Sequence, residues 1–273
     1  MTRNQPVTRR DVLRAGGVVA AGLAVRARYA AAQSPSAGPA DPKLVEDLVA
    51  ASRILADQGV VDGYGHVSVR HPADPQRYLM SRSIAPELVT AADVMEYDLD
   101  SNAVDARGRT SYLERFIHGE IYRSRPDVKS IVHNHSPSVI PFGVSTAPLR
   151  PLYHMSAFLG GGVPVFDIKA AANGPSDMLV RNAALGRALA QTLGARPVAL
   201  MRGHGAVVVG TTPAQAVFRS VYTEVNARLQ AQAMALGGPV TYLDDEEARR
   251  AEASVGGTIT RPWELWRKKA LSR

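Results

Sequence analysis

The chain of 273 residues has no cysteine, which excludes disulfides, thiolate metal ligands and a cysteine nucleophile. Aromatic side chains make up 6% of it, with two Trp and five Phe, and no basic, aromatic-interleaved patch argues for nucleic acid. The small-residue apolar stretch Ala15 to Val25 is too short to span a bilayer as an ordinary helix, so no stable membrane anchoring is expected. A pervasive charge excess is lacking too. Of the formal +7, residues 1–32 hold six Arg against one acid, Asp11, leaving 26 basic and 24 acidic residues in the remainder.

The leader itself is patterned. Thr8-Arg9-Arg10-Asp11-Val12-Leu13 precedes the apolar stretch, and Ala30-Ala31-Ala32 offers a small-x-small cleavage site before Gln33. Motif, core and cleavage site in that order point to a twin-arginine signal over residues 1–32 and a periplasmic location. The bland alternative is an Ala-rich N-terminus with incidental Arg pairs. Residues 33–40, with Ser34-Pro-Ser-Ala-Gly-Pro39, read as a linker, and residues 41–273 as one catalytic domain.

Within that domain the spacing predicts a helix from Pro42 to about Gln58, capped by Asp41. Strands are expected at Val67–Val69, near Tyr78–Met80, at Asp93–Asp98, from Val128 to His133 and from Val163 to Ile168. Ser111 can cap a helix through Arg123 with Glu114 as the capping-box acid, and Ser176 a helix through Leu193. A hairpin is expected around His204 and a long helix from Thr212-Pro213 to about Leu236. The Trp263 and Trp266 pair reads as an anchor for the charged C-terminal segment. Helices and strands intermix without a strict βαβ rhythm, which points to α/β class: a three-layer α/β/α domain with a mostly antiparallel central sheet.

The chemistry-bearing feature is His133-Asn134-His135, closing the apolar run Val128 to Val132. Residues two apart on a strand share a face, so both imidazoles can stand side by side. His204, in Arg202-Gly-His-Gly205, sits at a Gly-flanked turn from which a third imidazole can approach. Three imidazoles leave a coordination position open, as a catalytic metal site requires. On pattern alone, His-x-His is equally well two satisfied strand histidines. Glu114 is either the capping acid or an acid/base.

These elements occur together in an order that resembles the class II aldolase and adducin family, over about Leu44 to Met234. They are Gly63 to Arg70, Ser111 to Glu114, Arg125-Pro126-Asp127, His133-x-His135 and the late His204-Gly205. The resemblance implies the class II aldolase-like fold and one divalent metal ion per chain, Zn2+ or Mn2+. It implies that His133, His135 and His204 are the ligands, that Glu114 is the catalytic acid/base, and that the assembly is a homotetramer. Aldol cleavage and decarboxylation both leave an electron pair on carbon, as an enolate, which such a cation stabilises as a Lewis acid. Protonated Glu114 would need a raised pKa, which burial can provide.

The departures bear on substrate. Family aldolases hold a phosphate with Gly-Asn-x-Ser and Thr-x-Ser-Gly segments. Here the first is Gly65-His66-Val67-Ser68 and the second Ser81-Arg82-Ser83, followed by Ile-Ala-Pro-Glu87. The pattern resembles the branch of decarboxylases acting on hydroxylated aromatic or pyridine carboxylates and ring-cleavage products. A small-molecule carboxylate is therefore the expected partner. His66, Ser81, Arg82 and Ser83 are substrate-contact candidates, Arg82 through its planar fork, although Arg82 can equally be a surface ion pair and His66 a turn residue. Tyr153 and His154 can reach the site from their loop or simply pack. His118, one turn beyond Glu114, can orient it or face solvent. Other readings are an aldolase for a non-phosphorylated hydroxy-keto acid and a non-catalytic adducin-like association module. The second would be expected to lose its metal histidines, and all three are present.

Overall fold

The computed structural model describes residues 35–272, so the leader expected over residues 1–32 lies outside the described residues. Asp41 caps α1 (Pro42–Asp57) by accepting from the Lys43 amide, with Pro42 at the first helical position. Seven strands follow in one sheet: β1 (His66–Arg70), β2 (Arg77–Ser81), β3 (Val94–Asp98), β4 (Ser130–Asn134), β5 (Val165–Phe166), β6 (Val198–Met201) and β7 (Gly205–Gly210). Their spatial order is β3-β2-β1-β4-β7-β6-β5, and every pairing is antiparallel except β5 with β6. The helices are α2 (Phe116–Ser124), α3 (Ile140–Val144), α4 (Ile168–Ala172), α5 (Ala183–Leu193), α6 (Pro213–Ala235), α7 (Asp245–Gly256) and α8 (Thr260–Leu271).

Strand alternation sorts side chains onto two buried faces. Val67, Val69, Val132 and Val208 join a core that includes residues of α1, α6 and α8. Ile131, Val207, Val209, Tyr78 and Met80 join a second core with Ile117, Ile121 and Tyr122 of α2 and Leu189 and Leu193 of α5. Helices on both faces of a mostly antiparallel sheet give the three expected layers.

Several local expectations are corrected. The helix predicted from Ser111 begins only at Phe116 and has no side-chain cap, because Ser111 is engaged by the Tyr97 hydroxyl and Glu114 turns elsewhere. Ser176 does not cap the helix that ends at Leu193; Asn182 does, accepting from the Leu185 amide. The strand predicted over 163–168 shrinks to two residues, because Asp167 starts α4 by capping it. The described part of the linker is tied down: the Ser36 hydroxyl and the Ala37 amide both donate to Glu96 on β3. The charged C-terminal segment forms two helices, with Trp266 buried 6.2 Å from the Tyr222 ring. The Arg125-Pro-Asp127 motif is a clasp, its guanidinium pairing with Asp127 and donating to the Gly194 carbonyl after α5.

Register places the chemistry. His66 lies opposite His133 across β1 and β4, and Asn134 lies opposite Ala206 on β7. The turn from β6 to β7 holds Gly203 at φ +63°, a conformation glycine adopts without strain. Gly205 lies so close to β4 that a Cβ there would stand 2.0 Å from the Asn134 carbonyl oxygen. Gly205→Ala is therefore expected to cost about 3 kcal/mol in urea denaturation, at the upper end for overpacking. Gly63→Ala, which meets nothing within 4 Å, serves as the control that should cost far less.

Candidate metal centre and cleft

The end of β4 and the β6–β7 turn bring three imidazoles together. His204 Nε2 stands 3.2 Å from His133 Nε2 and 3.0 Å from His135 Nε2. The opposite ring nitrogens of two of them are held by main chain. His133 Nδ1 donates to the Ala206 carbonyl at 3.2 Å, and His204 Nδ1 to the Met178 carbonyl at 2.6 Å. A neutral imidazole has one N–H, so with both rings neutral their Nε2 lone pairs face each other. Only a positive charge between them, a metal cation or a shared proton, relieves that repulsion. A tetrahedral zinc with bonds of about 2.0–2.1 Å separates its ligand atoms by about 3.3–3.4 Å, close to the spacings found. The donor set therefore fits a divalent ion.

Glu114 completes the cluster from the segment before α2. Its Oε1 accepts from the Val180 amide at 2.8 Å, while Oε2 lies 3.3 Å from both His133 Nε2 and His204 Nε2. Burial alone would raise this carboxyl, but the His133 and His204 imidazoles outweigh it and hold Glu114 well below the usual carboxylate range. The expectation of a raised, resting-protonated Glu114 is thus corrected: it is an anion. Burial, followed by His133 and His204, lowers His135 to about 4. Burial works against the charge on His204 too, yet Glu114 prevails and raises it.

Three of the cluster's members, Glu114, His133 and His135, line a cleft of about 480 Å³. Tyr64, Tyr112, Ile84, Leu113 and Leu179 line its walls, with His66 and Ser83 among the polar groups. Among the described residues, no Lys or Arg lines it. His66 makes ring contacts with Tyr112 and His133, with centroids 4.5 and 5.1 Å apart.

The other substrate candidates fall elsewhere. Arg82 does not line the cleft; its Nε is 2.6 Å from Asp93, forming the ion pair that was the alternative reading. Ser81 is buried and bonds the Tyr112 hydroxyl at 3.1 Å, so it supports the wall rather than lining it. Tyr153 and His154 are not brought to the cluster. Tyr153 precedes a 3₁₀ turn (His154–Leu159), and His154 lines a separate cavity with Tyr222 and Val255. His118 does not face solvent: it is fully buried, 2.7 Å from His66 Nδ1. Burial, then His133, lowers it to about 3.

Sequence reasoning missed the segment Met178–Val180, which orients His204 through a carbonyl and Glu114 through an amide. Main-chain groups leave no residue-type signal, and Met178 itself sits at φ +67°, which no motif announces.

Comparison with known proteins follows the same lines. Residues 46–231 match the family model for the class II aldolase and adducin N-terminal domain. The decarboxylase tropJ of Talaromyces stipitatus is 37% identical over 244 residues, covering 81% of this chain and 92% of that protein. A 3,4-dihydroxyphthalate decarboxylase of Arthrobacter keyseri is 31% identical over 217 residues, covering 74% and 83% respectively. In fold, the L-fuculose 1-phosphate aldolase of Glaciozyma antarctica superposes with a TM-score of 0.70 at 24% identity, covering 85% of this chain and 93% of that one.

The buried imidazoles dictate an acid sensitivity. His118 and His135 take up protons near the ordinary 6.5 once unfolded, but only near 3 and 4 when folded. Between those limits these two groups bind more protons in the unfolded chain, so their contribution to stability is full above about pH 6.5 and declines as pH falls. Urea midpoints of metal-free protein at pH 7 and pH 5 should differ in that direction, and His118→Gln should narrow the difference.

Proposed function

The chain belongs to the class II aldolase and adducin family, and from that premise we propose that it is a metal-dependent carbon–carbon lyase that decarboxylates a hydroxylated aromatic or ring-cleavage carboxylate. The observation that carries this reading is that Glu114, His133 and His135 of the four-residue cluster open onto an aromatic-walled cleft, with no Lys or Arg lining it among the described residues. Relatives named as decarboxylases, at 37% and 31% identity, support it.

His133, His135 and His204 would hold the ion, and zinc or manganese suits such a set. When bound, the ion supplies Lewis-acid stabilisation of the negative charge left on the substrate as the bond breaks. The protein's own part is positioning and proton transfer. Tyr64, Tyr112 and Leu113 offer flat and apolar walls to a ring and exclude water from it. Ser83 supplies a hydroxyl for the ring's polar substituents. Glu114 Oε1 is taken by the Val180 amide, which leaves Oε2 to move a proton. As a resting anion, Glu114 accepts the proton of a substrate hydroxyl. Oε2 then delivers that proton to the ring carbon bearing the carboxylate. The bond to the carboxylate breaks, carbon dioxide leaves, and the electron pair passes into the ring, which regains its aromaticity with the charge on the former hydroxyl oxygen.

We extend the reading to a homotetramer and to export by the twin-arginine route. Light scattering of the mature protein tests the first. For the second, Arg9→Lys with Arg10→Lys should retain the chain in the cytoplasmic fraction.

Elemental analysis should find about one divalent ion per chain, lost in His133→Ala, His135→Ala double-variant protein. A panel of dihydroxybenzoates and dihydroxyphthalates should yield carbon dioxide. Release of pyruvate from hydroxy-keto acids instead would favour the aldolase alternative. Glu114→Gln should lower turnover about 10³-fold while retaining the ion; undiminished turnover would falsify the proton-transfer role.

A further inference from the structure

One buried polar chain is unused by the chemistry above. From the cleft inward, His66 Nδ1 lies 2.7 Å from His118 Nε2. His118 Nδ1 lies 2.6 Å from Ser68 Oγ, and Ser68 Oγ lies 2.8 Å from the Tyr122 hydroxyl. Strand and helix periods produce it: His66 and Ser68 share a face of β1, and His118 and Tyr122 are one turn apart on α2. His118 and Ser68 are fully buried, and Tyr122 is 1% exposed. Such a chain is costly unless every member is satisfied.

Satisfaction fixes its sense. The Tyr122 hydroxyl has Ser68 Oγ as its one hydrogen-bond partner among the described residues, so its proton must go there. Ser68 then has only His118 Nδ1 to donate to. With Nδ1 accepting, His118 carries its proton on Nε2 and gives it to His66 Nδ1. His66 in turn must carry its proton on Nε2. That atom has no hydrogen-bond partner among the described residues, although the ring is 95% buried and lines the cleft beside His133. Run in reverse, the chain would strand the buried Tyr122 proton without an acceptor.

We propose that His66 is the neutral hydrogen-bond donor that the cleft offers to a negatively charged substrate oxygen, with His118 and Ser68 as the positioning residues that fix its Nε2–H tautomer and Tyr122 buried behind them. The proposal rests on the lyase reading for the identity of that oxygen, a carboxylate or phenolate, and not for the sense of the chain. A directed donor that cannot reverse discriminates for an acceptor at that point of the substrate, and it strengthens as charge grows on the oxygen.

Nitrogen-15 NMR of the imidazoles in the full-length, zinc-loaded protein reads the tautomer directly, with His66→Gln identifying the signal. The wild type should show His66 protonated on Nε2. Tyr122→Phe should keep that form, because the Ser68 hydroxyl still donates to His118. Ser68→Ala, a small change in a buried strand, should give a mixture of tautomers. In carbon dioxide release, His66→Phe should lower kcat/KM about 10²-fold. His66→Gln, which retains a donor, should recover most of it, and Ser68→Ala should fall between. His66 protonated on Nδ1 in the wild type overturns the proposal, as does a Ser68→Ala spectrum identical to the wild type. Lyase activity combined with the Nδ1–H form leaves the function standing and removes the relay. The Nε2–H form in a protein that releases neither carbon dioxide nor pyruvate does the opposite.

Discussion

Two backbone carbonyls govern the centre. By accepting from Nδ1 of His133 and of His204, the Ala206 and Met178 carbonyls leave Nε2 of each ring as the atom that takes a cation or a proton. Those atoms meet 3.2 Å apart, with the Glu114 carboxylate 3.3 Å from each. So much electron density in a buried place demands a positive charge, and the fixed tautomers mean that neither ring can easily relieve the demand by turning. The rest of the molecule can be understood as holding that arrangement. The sheet sets His133 against β7, the Gly203 turn swings His204 across, and the segment before α5 closes over both His204 and Glu114.

The same register that builds the centre also furnishes the cleft. His66 opposite His133 puts a fourth imidazole beside the three, near enough to touch a ligand of the ion yet committed by His118 to a different task. The proposed donor therefore has internal support from the chain behind it. Arg82 works differently. Its guanidinium braces Asp93, which also accepts from Thr90, so it stiffens the loop that carries Ser83 to the cleft instead of reaching the cleft itself.

What was legible in the sequence was periodic or chemically rare. Alternating apolar residues announced β1, β4 and β7, Asp41-Pro42 announced α1, and the histidines with Glu114 announced the centre, since few other roles collect those residue types in that order. The failures share a cause. Ser111 and Ser176 were assigned from local grammar and Arg82 from the family pattern, and other partners overruled each: Tyr97 took Ser111, Asn182 displaced Ser176, and Asp93 captured Arg82. His118 was misjudged for the same reason, because nothing local reveals that Ser68 and His66 await it across the second core. Glu114 shows how sign can be lost as well as place. Burial was foreseen, but the two imidazoles that reverse its effect come from β4 and the β6–β7 turn, beyond the reach of local reading.

The donors of the cluster are scattered along the chain, with His135 and His204 separated by 69 positions. An emerging polypeptide offers only the His133-x-His135 pair, a weak clip for any cation. The third nitrogen arrives when β7 docks against β4, a long-range pairing that must be reached against loop entropy. Capture of the ion is then a late event in assembly. Because the ion binds tightly only to the finished sheet, it withdraws completed molecules from the folding equilibrium by mass action. The β4–β7 seam thus joins two events: the pairing that completes the sheet is also the one that completes the set of donors.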